Sequence, residues 1–223
     1  MERLISFESK ALLEVDLAQR IADILCSEIE KKGTATLLLS GGSTPKNLYQ
    51  KLSEIDLDWS NVHVGLVDER FVPQESPFSN ETLIRESLMQ NKANLAQFHP
   101  MVIDSLDYMG NLRLAIDENA CFENPDVVVL GMGDDGHTAS LFPNDVCSDE
   151  ATISSSLMAN TTSPNEPSQR ITFCGPILQK GKHLFLMITG GKKLEVLRES
   201  KEKNYPIHHF LPFIEGIYYS ENA

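Results

Sequence analysis

Short apolar runs alternate along the chain with longer stretches in which apolar residues recur every three or four positions. Between residues 10 and 31, Leu13, Leu17, Ile21, Ile24, Leu25 and Ile29 share one helical face, and Gly33 supplies a stop. TATLLLS (34–40) is a continuous apolar run, the pattern of a buried strand. GGSTP follows it, then a helix over KNLYQKLS, with Thr44 predicted as N-cap and Pro45 as first helical residue. NVHVGLV (61–67) and residues 126–130 read as further strands, and helices are predicted over 80–89 and 105–119. Residues 144–169 are polar and aperiodic, and predict a long loop with one strand near 156–159. Strands at 170–173 and 183–188, a helix over 192–202 and a strand within 213–220 complete the pattern.

Strands alternating with helices predict an α/β fold around a mostly parallel sheet, in one domain spanning residues 1–223. Such sheets bind ligands outside the carboxyl ends of their strands. The strand ends here carry SGGSTP (40–45), DER (68–70), GMGDDGH (131–137) and TGGKK (189–193).

Each of these has its own chemistry. In SGGSTP, Gly41 and Gly42 allow close backbone approach, while Ser43, Thr44 and the N–H groups of the following helix offer donors to an anion. The same residues would also serve as a plain strand-to-helix turn, and they match neither nucleotide-binding glycine motif. Arg70 in DER suits a phosphate or a developing oxyanion, the alternative being a surface cluster paired with Asp68 or Glu69. In GMGDDGH, three glycines are read as room for a ligand, with Asp135 and His137 at the start of a helix. His137 has the chemistry of a general base and Asp135 that of its orienting carboxylate; the alternatives are a helix cap or a metal pair, for which no third ligand is evident nearby. Arg170 and Lys193 are isolated cations that a solvated surface would also explain. His63, His99, His183, His208 and His209 lack a glycine-rich setting and are read as structural, with His208 and His209 on opposite faces of a strand.

Composition narrows the partners. A net charge of -13 without a basic stripe argues against nucleic acid, so a bound anion needs a local concentration of cations and amides. Cys26, Cys121, Cys147 and Cys174 are widely spaced, which suggests a reducing compartment rather than a disulfide framework or zinc cluster. No apolar leader or membrane-length run is present, so a cytoplasmic protein with no membrane partner is expected; oligomeric state is not indicated.

Taken in order, LLLSGGSTPKNLYQKL, VDERFVPQESPFSNETLIRESL, VVVLGMGDDGHTASLFP, RITF and ITGGKKLEVL resemble the 6-phosphogluconolactonases over about residues 36–198. The resemblance implies a modified doubly wound, Rossmann-like fold shared with glucosamine-6-phosphate deaminase. It implies hydrolysis of 6-phospho-D-glucono-1,5-lactone to 6-phosphogluconate in the oxidative pentose phosphate pathway. It places Gly41, Gly42, Ser43, Thr44, Arg170 and Lys193 at the substrate phosphate, Lys193 rather than Lys192 keeping the T-G-x-x-K spacing. His137 becomes the base and Arg70 its electrostatic partner at the lactone. The substrate is already a reactive ester, so neither metal nor organic cofactor is called for. The deaminases carry N-E-P after their D-G-H motif and D-E-Y in place of DER. This chain has Leu141-Phe142-Pro143 and Asp68-Glu69-Arg70 instead, which favours the lactonases. A non-catalytic sugar-phosphate sensor would need the phosphate loop but not the base.

Overall fold

The computed structural model describes residues 3–222. It opens with β1 (Leu4–Phe7), an element the apolar pattern did not signal, and α1 (Lys10–Lys32). The α1 termini obey local chemistry. The Ser9 side chain accepts from Leu12 N, and Gly33, at φ 85°, donates its N–H to Ile29 O. Leu13, Leu17, Ile21, Ile24 and Leu25 are buried on one face, as their spacing predicts.

The chain continues through β2 (Ala35–Leu39), α2 (Lys46–Glu54), β3 (Val62–Leu66), β4 (Asp68–Arg70), α3 (Asn80–Ser87) and β5 (Gln97–Phe98). Next come α4 (Tyr108–Glu118), β6 (Val127–Leu130), α5 (Val146–Ile153), β7 (Met158–Thr162), β8 (Gln169–Phe173) and α6 (Gly175–Gln179). β9 (His183–Thr189), α7 (Gly191–Glu199) and β10 (Gly216–Ser220) complete it. No helix among the described residues is long and apolar enough to cross a membrane.

Seven strands form an all-parallel sheet in the order β1-β10-β9-β6-β2-β3-β5. This is the α/β, doubly wound arrangement: the chain builds outward from β2 through β3 to β5, then crosses back to lay β6 on the other side of β2. Every residue of β2 and β6 is buried, as expected for strands covered on both faces. α1 packs on α2 and across β2, β6 and β10.

Four expectations need correction. First, residues 144–169 hold α5 as well as β7; Asp145 caps α5 by accepting from Ser148 N, a signal hidden by the absence of apolar periodicity. Second, β8 and β7 do not join the parallel sheet. They form an antiparallel sheet in the order β4-β8-β7, and DER, read as a strand end, is itself the edge strand β4. Third, α2 begins one residue later than predicted: Pro45, at φ -86° and ψ 0°, is the N-cap and its carbonyl accepts from Tyr49 N at 3.1 Å. Fourth, His208 and His209 lie in a 3-10 turn (Pro206–His209) rather than a strand.

At the start of β6 a buried carboxylate ties three elements together. Asp126 accepts from Thr36 N (2.8 Å), Thr36 Oγ1 (3.0 Å) and Lys32 Nζ (2.6 Å). It thereby fixes the end of α1 and the register of β2 against β6. Replacing it leaves the buried Thr36 amide without an acceptor. Asp126→Ala is therefore expected to lower unfolding free energy by about 1–3 kcal/mol, measured by urea denaturation.

Candidate active site

The loops after β2, β6 and β9 leave adjacent parallel strands at the same edge, where the winding direction reverses. With β4 and β8 above them they enclose a cavity of about 290 Å³. Gly41, Gly42, Ser43, Thr44, Arg70, His137, Arg170 and Lys193 all line it. Asp135 does not; it stands behind the His137 ring.

The 40–45 loop is held at both ends. Ser40 N continues the β2–β6 ladder by donating to Val129 O at 3.0 Å, and the buried Tyr49 hydroxyl donates to Ser40 O at 2.6 Å. Gly41 is required by a close approach: a Cβ there would lie 1.9 Å from Asn80 Oδ1. Asn80 in turn donates from Nδ2 to Asp68 O at 2.9 Å, so the loop and β4 are packed through this one amide.

His137 is not on a helix. Residues 133–137 form a tight turn, with Gly133 N donating to His137 O (2.8 Å) and Gly136 at φ 77°. Ala139 and Asn144 also have positive φ, which breaks the backbone until α5 begins. Nor is Gly133 simply room for a ligand. A Cβ on it would meet the His137 ring at 2.2 Å, so its absence lets the histidine fold back over the turn. His137 Nδ1 lies 2.5 Å from Asp135 Oδ1, and the same oxygen accepts from His137 N at 3.2 Å. Burial works to raise the Asp135 carboxyl, but the His137 hydrogen bond and charge outweigh it, and the group ends below its ordinary value. With Nδ1 committed to a carboxylate, Nε2 is the nitrogen left to exchange a proton. The ring also packs on buried Phe142, with centroids 4.8 Å apart.

The cations are arranged around this turn. Arg170 on β8 is buried; it donates from Nε to Pro167 O (2.8 Å) and lies 5.5 Å from the Phe142 centroid. Burial lowers its guanidinium below the ordinary value, while Asp68 pulls the other way. Arg70 is its direct cross-strand partner in the β4–β8 register, so two guanidinium groups share one face. Like charges in that position repel, and an anion in the cavity would relieve them. Lys193, in the first turn of α7, donates from Nζ to Met132 O and faces the cavity, whereas Lys192 reaches outward to Asp134 at 2.5 Å.

The surface-cluster reading of DER does not fit. Arg70 donates to Phe78 O (2.6 Å), and Glu69 is buried, accepting from Arg70 N (2.7 Å), Asn80 N (2.8 Å), Glu81 N (2.7 Å) and Ser79 Oγ (3.1 Å). Asp68 is also buried and meets Ser140 Oγ. Asp68 and Asn80 line the cavity and were not identified as site residues from the sequence. Asp68 was legible as part of DER, but Asn80 carried no signal beyond lying at a helix start.

The switch point of this α/β sheet holds a carboxylate-backed histidine beside three cations, a set of groups suited to a small anion. The chain belongs to the family described as glucosamine-6-phosphate isomerases/6-phosphogluconolactonase, whose sequence model matches residues 8–215. It is 39% identical over 214 residues to a 6-phosphogluconolactonase of Rhizobium meliloti (strain 1021), covering 92% of this chain and 91% of that protein. It is 37% identical over 209 residues to one from Neisseria meningitidis serogroup B (strain MC58), covering 91% and 90%. The crystal structure of a 6-phosphogluconolactonase from Shewanella baltica OS155 superposes with a TM-score of 0.92 at 34% identity, covering 99% of this chain and 97% of that one.

Burial lifts the Glu69 carboxyl from its ordinary value of 4.5 to about 7, against the pull of the Asn80, Glu81 and Arg70 amides. The folded chain therefore keeps a proton that the unfolded chain has lost between those pH values, and stability falls as pH rises through that window. Glu69→Gln cannot ionise and is expected to lose this component, read by urea unfolding across pH 4.5 to 7.

Proposed function

We propose that this chain, as a single domain, is a 6-phosphogluconolactonase: it hydrolyses 6-phospho-D-glucono-1,5-lactone to 6-phosphogluconate using water activated by His137. The observation that carries the reading is the 2.5 Å contact between His137 and Asp135 at a cavity lined by Arg70, Arg170 and Lys193.

The phosphate is held by Arg170, Lys193 and the 41–44 loop, which sets the lactone carbonyl in reach of the histidine. His137 Nε2 takes a proton from water as its oxygen bonds to C1. The carbonyl electrons move onto oxygen, where Arg70 or nearby N–H groups stabilise the charge. Collapse of the intermediate breaks the bond from C1 to the ring oxygen, and the imidazolium returns the proton to that oxygen. Asp135 holds the ring and steadies its charged form. Water supplies the hydroxyl, and no acyl-enzyme intermediate is needed; Ser43 has no neighbouring base in sequence to activate it.

Two features favour this over ring-opening deamination. Phe142 stands where the deaminase motif has a proton-transferring glutamate, and here its ring packs between His137 and Arg170. Arg70 occupies the third position of DER.

The deciding measurement is a lactonase assay with lactone generated in situ and spontaneous hydrolysis subtracted. His137→Ala is expected to lower kcat by roughly 10²–10⁴-fold with 6-phosphogluconate affinity nearly unchanged. A variant as fast as the parent would remove His137 from the chemistry. Arg170→Ala and Lys193→Ala are each expected to weaken 6-phosphogluconate binding by roughly 10- to 100-fold in calorimetry, the loss of one charge-assisted contact. Unchanged affinity in both would take them out of the phosphate site. Ammonia release from glucosamine 6-phosphate would instead identify a deaminase.

A further inference from the structure

Away from the cavity, near the start of β3, three side chains from distant parts of the chain turn their donor atoms toward one point. His63 Nδ1 lies 3.0 Å from His99 Nε2, and Cys121 Sγ lies 3.9 Å from the same nitrogen. All three donor atoms fall within 4.8 Å of one another. None of these residues lines the active-site cavity. From His63 to Asp68 is roughly 16 Å along the strand.

The protonation pattern follows from the neighbours. His99 Nδ1 faces two acceptors, Glu118 O (3.0 Å) and Glu118 Oε1 (3.1 Å), so Nδ1 carries the proton and Nε2 presents its lone pair inward. A carboxylate behind a histidine in this way is the arrangement that orients metal-bound imidazoles. Burial and the neighbouring His99 lower the His63 imidazole, which favours its neutral, ligating form. The backbone holds the group in place: His99 N donates to Val64 O at 2.9 Å, and Phe122 packs edge-on against the His99 ring at 5.4 Å.

We propose that His63, His99 and Cys121 bind a zinc-class divalent ion, with water in the fourth position, clipping β3, the end of β5 and the Ala120–Phe122 turn together. Two imidazoles and a thiolate are the donor set that borderline-soft ions select. With Zn–N about 2.0–2.1 Å and Zn–S about 2.3 Å, tetrahedral geometry needs donor separations of about 3.3 Å and 3.6 Å. The two pairs through His99, at 3.0 Å and 3.9 Å, are within a few tenths of an ångström of those values, and His63 and Cys121 lie within 4.8 Å of each other. Cys121 is exposed, leaving the open side to solvent. Binding displaces the Cys121 thiol proton to water as the sulfur–metal bond forms. The competing reading is a plain His63–His99 hydrogen bond beside an idle thiol.

The test uses the full chain, stripped with a chelator and titrated with Co²⁺, then Zn²⁺. The expected result is one equivalent of Co²⁺ with tetrahedral visible absorption and a thiolate-to-cobalt charge-transfer band, both displaced by Zn²⁺. Zn²⁺ should also raise the thermal midpoint. Cys121→Ser should lose the charge-transfer band while keeping lactone hydrolysis, which also reports an intact fold. Glu118→Gln should weaken Zn²⁺ binding by roughly 10–100-fold. His137→Ala should leave the band unchanged, separating this site from the cavity. A chain that binds no Co²⁺, a band that survives in Cys121→Ser, or one that disappears in His137→Ala would overturn the proposal.

Discussion

The pairing of β2 with β6 is the constraint on which everything else rests. Leu37, Leu38 and Leu39 lie in register with Val127, Val128 and Val129, all of them buried. Burying each such side chain is worth about 1.5–3 kcal/mol, so this seam is strongly specified. It is also where the winding of the sheet reverses. Two parallel strands that end side by side and feed connections running to opposite sides leave a crevice between them, and the glycine-rich loops occupy it. The candidate active site is a geometric consequence of that seam before it is a chemical one.

The small antiparallel sheet supplies what the crevice lacks. It delivers Arg70 and Arg170 as direct cross-strand neighbours, an arrangement that costs stability without an anion between them. Buried Glu69 offsets part of that cost: by accepting the amides of Arg70, Asn80 and Glu81 it fixes both β4 and the start of α3. The acidic residues of DER are thus the support on which its arginine is mounted. A chain of net charge -13 still gathers three cations at one cavity because the carbonyls of Phe78, Pro167 and Met132 accept from Arg70, Arg170 and Lys193 respectively.

Phe142 links the two halves of the site, since His137 packs on it and Arg170 lies beyond it. An apolar ring there orients both groups while offering no proton. The His63, His99 and Cys121 cluster belongs to a different part of the molecule and draws on none of these residues.

The sequence by itself determined what depends on neighbours a few positions away. The extent of α1 and its Gly33 stop, the buried strands β2, β3, β6 and β9, and the glycine-rich turns after three of them were all legible. Apolar periodicity and cap chemistry are local, and they dictate secondary structure before any long-range contact forms. The loops after β2, β6 and β9 were legible as parts of one candidate site because parallel strands end at a common edge, whereas Arg70 and Arg170 reach it from the antiparallel sheet. Only the tertiary structure decided which pairings those strands make. It turned DER into an edge strand, found α5 within a polar segment without periodicity, and placed His137 on a turn rather than a helix. It set Arg70 opposite Arg170, 100 positions apart in the chain, and Cys121 beside His63. Cross-strand register and side-chain clustering are set by packing between distant segments, and no local pattern records which segments will meet.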